Sequence, residues 1–300
     1  MSERALKTVI GVVMVLVLLY VGVGIASRSS GPPKSKLADD LAALKQDDVQ
    51  KATLVAPPDT IRLERNGKRW TVNGYPADSA MAAGLVSDLA AAEVGGVAST
   101  NPANQGRLGV SDDSARSVEL DGARGSLLKL LVGKRGPDYQ SVYVRLSGQN
   151  EVRVLNADLG TALDRHVDAW RDKSIVSVDT ARVTKVTVAR HDTTFTLARG
   201  DSAWTVDGKP AKAGAVNDLL GALAGFHAEG FAPDTAKMGV AVRRVVALDA
   251  RGDTLVNLTF ASGPASNLRV KSAAKATIFE VPSWQADRVA PALGKFAKTS

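Results

Sequence analysis

The sequence contains no cysteine. This absence excludes disulfide bonds, thiolate zinc sites and cysteine nucleophiles, and it is compatible with either redox compartment. Histidine is also scarce, because the chain has only His166, His191 and His227. None of the three belongs to an H-x-x-H or H-E-x-x-H pattern, which is the local arrangement that a zinc or iron site needs. We therefore predict no metal site and no cofactor.

The motifs that bind phosphate or activate a serine are missing as well. The sequence has no G-x-S-x-G elbow and no G-x-x-x-x-G-K-[ST] loop. Acidic doublets do occur, but adjacent loop aspartates are usually solvated, whereas glycosidase chemistry needs two carboxylates that face a cleft from separate elements. We predict no catalytic residue, and we expect any nucleotide to be bound by another protein. The doublets are Asp39-Asp40, Asp47-Asp48 and Asp112-Asp113.

Positive charge is unevenly distributed along the chain, which has a formal net charge of +7. Residues 1–36 contain five lysines and arginines against Glu3, a balance of +4, so the rest of the chain carries only +3. No later block of Lys and Arg with interleaved aromatic residues follows. This distribution argues against nucleic-acid binding and places the basic residues around the apolar N-terminus.

One long apolar run, Val9–Ile25, contains no charged residue. Its 17 residues, at about 1.5 Å each, nearly match a hydrocarbon core of about 30 Å. The alternative is a cleaved secretory signal, but signal cores are usually shorter, about 7–15 residues. We therefore expect a single retained span in the inner (cytoplasmic) membrane. The flanking charges are nearly balanced, and we choose the orientation with the N-terminus inside and the large C-terminal part outside.

Residues 1–36 are thus predicted as membrane anchor and linker, because Ser27–Lys36 is rich in Ser, Gly, Pro and Lys. A short helix is expected over residues 38–48, which carry Leu41 and Leu44.

Two stretches, Trp70–Gly74 and Trp204–Gly208, are nearly identical although they lie far apart in the chain. Before the first, residues 61–65 alternate between apolar and polar side chains, and Asn66-Gly67 follows. Asn-Gly is a preferred two-residue hairpin loop, so we predict that Leu63 lies opposite Trp70. The same arrangement, transferred to the second stretch, predicts Leu197 opposite Trp204, with a loop at Gly200-Asp201.

The remaining pattern predicts an α+β class with antiparallel sheets rather than a doubly wound parallel fold. A helix is expected over residues 78–93, capped by Asp78 or Ser79, and strands at 116–121, 126–132, 139–146 and 151–155. A closing helix should follow, with Leu159, Leu163, Val167 and Trp170 on one face, and residues 283–296 match it later. We predict two repeated units, 50–173 and 184–297, joined by residues 171–184.

These motifs together resemble the DUF4340 family over roughly residues 50–296. The resemblance depends on W-T-V-x-G, on a helix of the L-V-S-D-L type, on Leu108-Gly109-Val110, on Tyr143-Val144-Arg145 and on Arg171-Asp172-Lys173. It implies a bacterial protein of unknown function, and some members are encoded beside ABC-transporter components of the kind linked to gliding motility. Family members often have Asp and Pro after the L-G element, where this chain has Val110-Ser111 and Val240-Ala241. The resemblance supplies no catalytic residue.

These observations favour a non-enzymatic, membrane-anchored module that faces the cell envelope. The resemblance adds the expectation of an accessory subunit in an ABC-transporter-like complex, with a protein partner docking in a groove between the two units. Two alternatives stay open. An enzyme on envelope polymers would bring His166, His227 and carboxylates together, and a glycan-binding protein would expose tryptophans. For the tryptophans, core packing is the preferred interpretation; they are Trp70, Trp170, Trp204 and Trp284.

Overall fold

Antiparallel strand pairing dominates the computed structural model, which describes residues 35–191 and 193–297. The chain divides after Trp170 into two units. Each unit is of the predicted α+β class, with a nine-stranded sheet and few helices. The predicted span, Val9–Ile25, lies outside the described residues. Within the described ranges, no helix combines the length and the apolar character that crossing a membrane requires.

The described part of the first unit runs from Ser35 to Trp170. Its strand order across the sheet is β4-β3-β2-β1-β6-β7-β8-β9-β5. The strands are β1 (Val49–Ala56), β2 (Asp59–Asn66), β3 (Arg69–Val72), β4 (Tyr75–Pro76), β5 (Glu93–Ser99), β6 (Arg116–Gly122), β7 (Gly125–Arg135), β8 (Ser141–Leu146) and β9 (Val152–Asn156). The helices are α1 (Lys36–Ala43), α2 (Ser79–Ala90), α3 (Gln105–Leu108), α4 (Leu159–Leu163) and α5 (Val167–Trp170).

The second unit repeats the same topology. Its main sheet has the order β14-β13-β12-β11-β17-β18-β19-β20-β16, and a separate pair joins β10 to β15. The strands are β10 (Ser174–Val176), β11 (Lys185–Arg190), β12 (Thr193–Arg199), β13 (Trp204–Val206), β14 (Lys209–Pro210), β15 (Phe226–His227), β16 (Gly230–Phe231), β17 (Ala241–Leu248), β18 (Thr254–Ser262), β19 (Asn267–Ser272) and β20 (Phe279–Pro282). The helices are α6 (Ala213–Ala224) and α7 (Ser283–Val289).

The first hairpin has the predicted faces but not the predicted register. Leu63 lies opposite Val72 rather than Trp70, a shift of two residues. The physical reason is the turn: Gly67 alone has a positive φ, 62°, and occupies the first central position, as a type II′ loop requires. Asn66 therefore belongs to the strand and not to the loop. Since the shift is an even number of residues, the apolar side chains still share one face.

The second hairpin is shifted by the same two residues. Leu197 lies opposite Val206 rather than Trp204, which reproduces the Leu63–Val72 pair in the second copy. The prediction that one register is used twice is therefore confirmed, although the absolute register was wrong in both copies.

The W-T-V-x-G motif has a turn of its own. Its last two residues, Asn73-Gly74 and Asp207-Gly208, are the central residues of the β3–β4 and β13–β14 hairpins. All four have positive φ, from 46° to 87°. A type I′ turn needs this conformation at both central positions, which favours Asn-Gly and Asp-Gly.

The asparagine or aspartate of this motif also binds the neighbouring strand. Asn73 Oδ1 accepts a hydrogen bond from the Arg62 backbone N–H at 2.7 Å. Asp207 Oδ1 accepts the equivalent bond from the Thr196 N–H at 2.8 Å. The motif thus encodes a strand, a turn and a side-chain bond that attaches the turn to the sheet.

The predicted linker and connector have different places in the structure. Ser35 caps α1 by accepting from the Ala38 N–H at 3.0 Å, and Leu37 and Leu41 are buried in the first unit's core. The linker prediction therefore extended too far, since Ser35 and Lys36 belong to the folded unit. The predicted connector of residues 171–184 begins inside the second unit, where β10 pairs with β15 and Ile175 is buried.

The closing helix of the first unit was predicted as one helix and consists of two, α4 and α5. Strand β5 was not predicted, because the preceding helix was expected to extend to residue 93 and paired glycines such as Gly95-Gly96 weaken a strand pattern. Tertiary pairing with β9 places these glycines in a bulged strand, and a Cβ on Gly95 would lie 3.3 Å from Val154.

Candidate functional site

The three histidines do not lie in a catalytic or metal-binding cluster. His166 Nδ1 is 2.5 Å from Asp59 Oδ2 in a strongly exposed ion pair. His227 Nδ1 contacts its own neighbour, the Gly225 carbonyl, at 3.1 Å. His191 lies in the exposed turn between β11 and β12. Over residues 35–191 and 193–297, no group of three or more His, Asp or Glu side chains could hold a metal ion.

The tryptophans separate into core and surface residues. Trp70 and Trp170 are only 4% and 1% exposed, and Trp204 is half-buried against the second core. Trp284, at the start of α7, is 56% exposed. Core packing therefore holds for three of the four, and Trp284 is the exception.

The first unit contains an open cleft of about 1090 Å³. We call it the first-unit cleft. It lies between helix α2, the β7–β8 loop and the segment that runs from the end of β9 to Trp170. Its floor is apolar and buried, and polar residues surround the rim. The floor includes Leu85, Leu159, Ala162 and Trp170.

Trp170 lies at the end of α5, where several contacts hold it in place. Its carbonyl accepts a hydrogen bond of 2.8 Å from the N–H of Asp78, the residue that caps α2. The guanidinium of Arg165 lies over the indole, 5.5 Å from the ring centre. The indole Nε1 is buried and has no hydrogen-bond acceptor among the described residues. Because an indole N–H can only donate and buried donors are usually paired, this atom is an unusual feature of the wall.

The rim of the first-unit cleft is acidic. It carries four exposed carboxylates: Asp88 on α2, Glu93 at the start of β5, Asp138 in the β7–β8 loop, and Asp158 before α4. Asp158 caps α4 by accepting from the Thr161 N–H. None of the four forms an ion pair with any residue that the structure describes. Arg165 is the one cation among the described lining residues.

Tyr139 adds an aromatic surface to this rim. This residue is 82% exposed, and the guanidinium of Arg135 lies 4.7 Å from its ring centre. With Gln140, Asn156 and Thr161, it gives the rim hydrogen-bonding groups beside the charges. Such a mixture of apolar floor and convergent polar groups is typical of a binding cleft.

The second unit has a smaller cavity, of about 310 Å³, at the corresponding place. It lies between α6, which is the counterpart of α2, and the segment after α7. Phe296 takes the place of Trp170, since its carbonyl accepts from the Lys212 N–H as that of Trp170 accepts from Asp78. Two cations, Arg288 and Lys295, and one carboxylate, Asp218, line this cavity.

Buried arginines have structural partners elsewhere. In the first unit, Arg145 is 2% exposed, and its Nε donates to the Val110 carbonyl at 2.8 Å and its Nη1 to the Gln149 carbonyl at 2.7 Å. Its Nη2 lies 2.9 Å from Asp112 Oδ1, which is ion-pair distance without hydrogen-bond geometry. Arg145 thus joins the Y-V-R strand to the L-G-V element, so these family motifs are explained by folding.

In the second unit, Arg190 and Arg243 share the carboxylate of Asp287, at 2.6 and 2.7 Å. Burial lowers the pKa of Arg243, the neighbouring Arg190 lowers it further, and Asp287 partly opposes both effects. Asp287 lies on α7, so this cluster attaches the helix to β11 and β17.

No residue of the first-unit cleft was predicted as a site residue, although Trp170 was assigned to the core. The lining comes from segments that are distant in sequence, 81–93, 138–140 and 156–170, so no local motif could reveal it. One signal was present: an alignment of the two repeats through their closing segments would have paired Trp170 with Phe296.

Comparisons with known proteins identify a family and no characterised relative. Neither the curated proteins nor the solved structures include a significant match to the chain. Residues 70–242, more than half of the chain, match the family described as a domain of unknown function, DUF4340. They include both W-T-V-x-G motifs and the whole first-unit cleft from Met81 to Trp170. The chain therefore belongs to the DUF4340 family.

Proposed function

We propose that the protein is a non-enzymatic, membrane-anchored binding module that faces the cell envelope. The observation that supports binding is the first-unit cleft. Within the described residues, its exposed carboxylates have no ion-pair partner, and they surround an apolar floor. Carboxylates arranged in this way gain more from a ligand than from the protein itself, because a ligand of opposite charge can pair with them above the floor.

The anchor in this proposal is the apolar run Val9–Ile25. Only nine residues separate Ile25 from Ser35, the residue that caps helix α1 of the first unit. Nine extended residues reach at most about 32 Å, so the first unit would stay close to the bilayer surface. A cleft in that position suits a partner that is itself in the membrane. The orientation remains the one proposed, with the units outside the cytoplasm.

The proposed partner is a membrane protein in an ABC-transporter-like complex, in which this chain is an accessory subunit. Support comes from the family resemblance and from the short sequence separation between the apolar run and the first unit. No Walker A loop occurs in the sequence, so the nucleotide would be bound by the partner complex.

Crosslinking in native membranes tests this function. The full-length chain, with a photoreactive residue in place of Tyr139 at the rim, should crosslink to a membrane protein and co-purify with it. The matched control carries the same residue in place of Leu127, a partly exposed residue of β7 that does not line the cleft. Recovery of the protein alone from both preparations would contradict the accessory-subunit proposal.

Glycan binding is the second candidate, and Trp284 is the observation that favours it. This side chain is 56% exposed, whereas the other three tryptophans are packed against the cores. An exposed indole offers a face for stacking on a sugar ring. Retention of the full-length protein on insoluble envelope polysaccharide, lost in Trp284→Ala and kept in Tyr139→Ala, would support this candidate over the first.

An enzyme on envelope polymers was the other alternative. His166 does not line the first-unit cleft and pairs with Asp59, and His227 contacts a backbone carbonyl in the second unit. These contacts supply no observation that favours catalysis over binding.

A further inference from the structure

We propose that strand β5, at the edge of the first unit's sheet, pairs with β5 of a second copy of the chain. The two copies form an antiparallel, two-fold symmetric contact that joins their first-unit sheets. This inference goes beyond the proposed function, because it concerns a sheet edge and a second copy rather than the first-unit cleft and its membrane partner.

Three of the four outermost strands in the two described nine-stranded sheets are poorly suited to pair with another chain. Strands β4, β14 and β16 have two residues each. Pro76 in β4 and Pro210 in β14 have no N–H to donate. In β16 the guanidinium of Arg171 lies 3.6 Å from the ring centre of Phe231. Short edge strands and prolines are common means by which proteins prevent pairing at a sheet edge.

Strand β5 is the fourth outermost strand, and it has none of these protections. It has seven residues, contains no proline or lysine, and carries no charge after Glu93. Its neighbour in the sheet is β9. Beyond the pairing with β9, the backbone of β5 has one hydrogen bond among the described residues, from Arg153 Nη1 to the Gly95 carbonyl at 3.2 Å. The outer backbone groups of β5 are therefore available to an added strand.

The middle of β5 is exposed, although helix α1 contacts this strand. Val94 packs against the first core. Residues 96–98 are exposed, and Val97 is 48% exposed. The corresponding residues of the second unit, 230–232, are half-buried or buried. The repeated framework therefore does not require this exposure, which belongs to the first unit.

Glycines at the centre of β5 leave room for a second backbone. Gly95, Gly96 and Ala98 have no paired residue on β9, because the strand is bulged there. A Cβ built on Gly96 meets no atom within 4 Å. Glycine in a strand often marks a place where another backbone approaches closely, so the bulge leaves this edge open.

The sequence of β5 is complementary to itself. When all seven residues of the two strands pair, the two-fold axis passes through Gly96. Glu93 then lies opposite Ser99 of the second copy, and Val97 lies opposite Gly95. No like charges face each other, and the exposed valine lies beside a residue without a side chain. The symmetry forms each of these contacts twice, as in other two-fold interfaces.

The size of the contact indicates where the dimer forms. One pair of seven-residue strands is a small interface compared with the roughly 800 Å² per partner of a typical stable complex. Pairing therefore needs a high local concentration. The proposed anchor confines all copies to one membrane surface and so raises their effective concentration. We expect the dimer in the membrane, and this step alone rests on the proposed function.

The absence of cysteine makes disulfide crosslinking a direct test. Gly96→Cys in the full-length protein, oxidised in native membranes, should give a disulfide-linked band at twice the mass of the chain. Opposite Cα atoms of paired strands lie about 4.5–5.5 Å apart, which is within the reach of a disulfide. The matched control Gly214→Cys changes an exposed glycine of α6 where a Cβ also meets no neighbour, and it should crosslink about tenfold less.

Two further cysteine positions test the register. In the proposed pairing, residue 93 lies about 20 Å from residue 93 of the second copy, and the same separation holds for residue 99. Glu93→Cys alone and Ser99→Cys alone should therefore stay uncrosslinked. Membranes that contain both variants together should give the dimer, because these two positions face each other across the contact.

A charge on the edge should weaken the pairing. Val97→Lys, added to Gly96→Cys, should lower the crosslinked fraction about fivefold, since lysine opposes edge-to-edge pairing. The matched control Leu127→Lys lies on β7, which has β6 and β8 on its two sides, and it should leave the fraction unchanged. Thermal unfolding of each variant shows whether the first unit is folded.

Three results would overturn the inference. The first is a Gly96→Cys dimer no stronger than that of the Gly214→Cys control. The second is equal crosslinking of Glu93→Cys alone, which would indicate random collision. The third is a disulfide-linked band of another mass, which would assign the edge to a different protein. Membrane fractionation and the Tyr139 crosslink test the anchor and the membrane partner separately, so failure of the β5 pairing is distinguishable from failure of the proposed function.

Discussion

The two units share a framework and differ in the cavity that the framework builds. Both have the same order of nine strands, and the same hairpin register occurs in each copy. In the first unit the cavity is about 1090 Å³, acidic, and walled by Trp170. In the second it is about 310 Å³, carries two cations, and has Phe296 in the corresponding place. Since the strand order and the hairpin register are the same in both copies, the two cavities differ through residues that vary between the copies.

The segments that precede the two sheets differ as well. Helix α1 packs through Leu37 and Leu41 against the first core and contacts α2, β5 and β7. The second unit has strand β10 instead, which pairs with β15 at the position that corresponds to the start of β5. The segment before the first strand of the main sheet is therefore a helix in the first unit and a strand in the second.

The largest effect should come from the two aromatic residues that occupy corresponding places. Trp170→Ala and Phe296→Ala each remove a fully buried ring, so each should lower the free energy of unfolding by about 3–5 kcal/mol. Differential scanning calorimetry and limited proteolysis would measure this. We expect Trp170→Ala to expose cleavage sites before residue 171 and Phe296→Ala to expose sites after it. Losses below about 1 kcal/mol would contradict the assignment of both to the core.

A smaller effect is expected at the second unit's arginine cluster, in which Arg190 and Arg243 share the carboxylate of Asp287. Asp287→Asn leaves Arg190 and the 9%-exposed Arg243 facing each other without a shared carboxylate. Because Asp287 itself is 42% exposed, we expect about 2 kcal/mol, less than for a fully buried pair. Chemical denaturation measures this loss. Thr161→Ala, at an exposed position of α4 in the first unit, is the control and should change stability by less than about 0.5 kcal/mol.

The two W-T-V-x-G turns should respond alike. Asn73→Ala and Asp207→Ala each place alanine, which has no side-chain acceptor, in the left-handed backbone conformation at φ 46°. Each also leaves a strand β2 or β12 N–H unpaired, so we expect a loss of about 1–2 kcal/mol. Urea unfolding would measure it. A loss in only one copy would show that the motif is structural in that unit alone.

The smallest effect concerns acid stability at the β17–β18 turn. Burial would raise the pKa of Asp249, but N–H groups of Arg251 and Asp253 and the guanidinium of Arg182 outweigh it and hold the pKa below its ordinary value. A carboxylate with a lowered folded-state pKa stabilises the fold above its unfolded pKa and loses this contribution as the pH falls through the folded value. Asp249→Asn should therefore flatten the decline of stability below about pH 4. If stability falls with pH in Asp249→Asn as it does in the unchanged protein, Asp249 does not contribute to the acid sensitivity of the fold.

The α+β class, the repeated hairpin and most sheet strands could be predicted because alternation and turn residues act over a few positions. Alternation over residues 61–65 predicted one apolar face for the hairpin, and Ile61, Leu63, Trp70 and Val72 are all buried. The absolute register was predicted wrongly because Gly67 can occupy either the second or the first central position of the turn, and the local sequence allows both placements. Strand β5 was missed because Gly95-Gly96 is typical of a break in secondary structure, and only the pairing with β9 shows that these glycines belong to a strand.

The candidate site could not be predicted because it has no local signature. Asp88, Asp138 and Asp158 are separated by turns, strands and helices, and each alone is an ordinary surface residue. Trp170 was correctly placed in the core, but the missing acceptor at Nε1 is a property of its surroundings.

The sequence by itself determined that the chain lacks cysteine chemistry and sequence-local metal and phosphate motifs, and that one hairpin design is used twice. Such features depend on composition and on interactions between near neighbours, which periodicity and turn chemistry report directly. Only the tertiary structure decided which unit carries the open acidic cleft, that Ser35 and Lys36 form the cap and the start of helix α1, and which tryptophan is exposed. These properties arise when segments distant in the chain meet, and packing at those meeting points depends on three-dimensional shape rather than on local order.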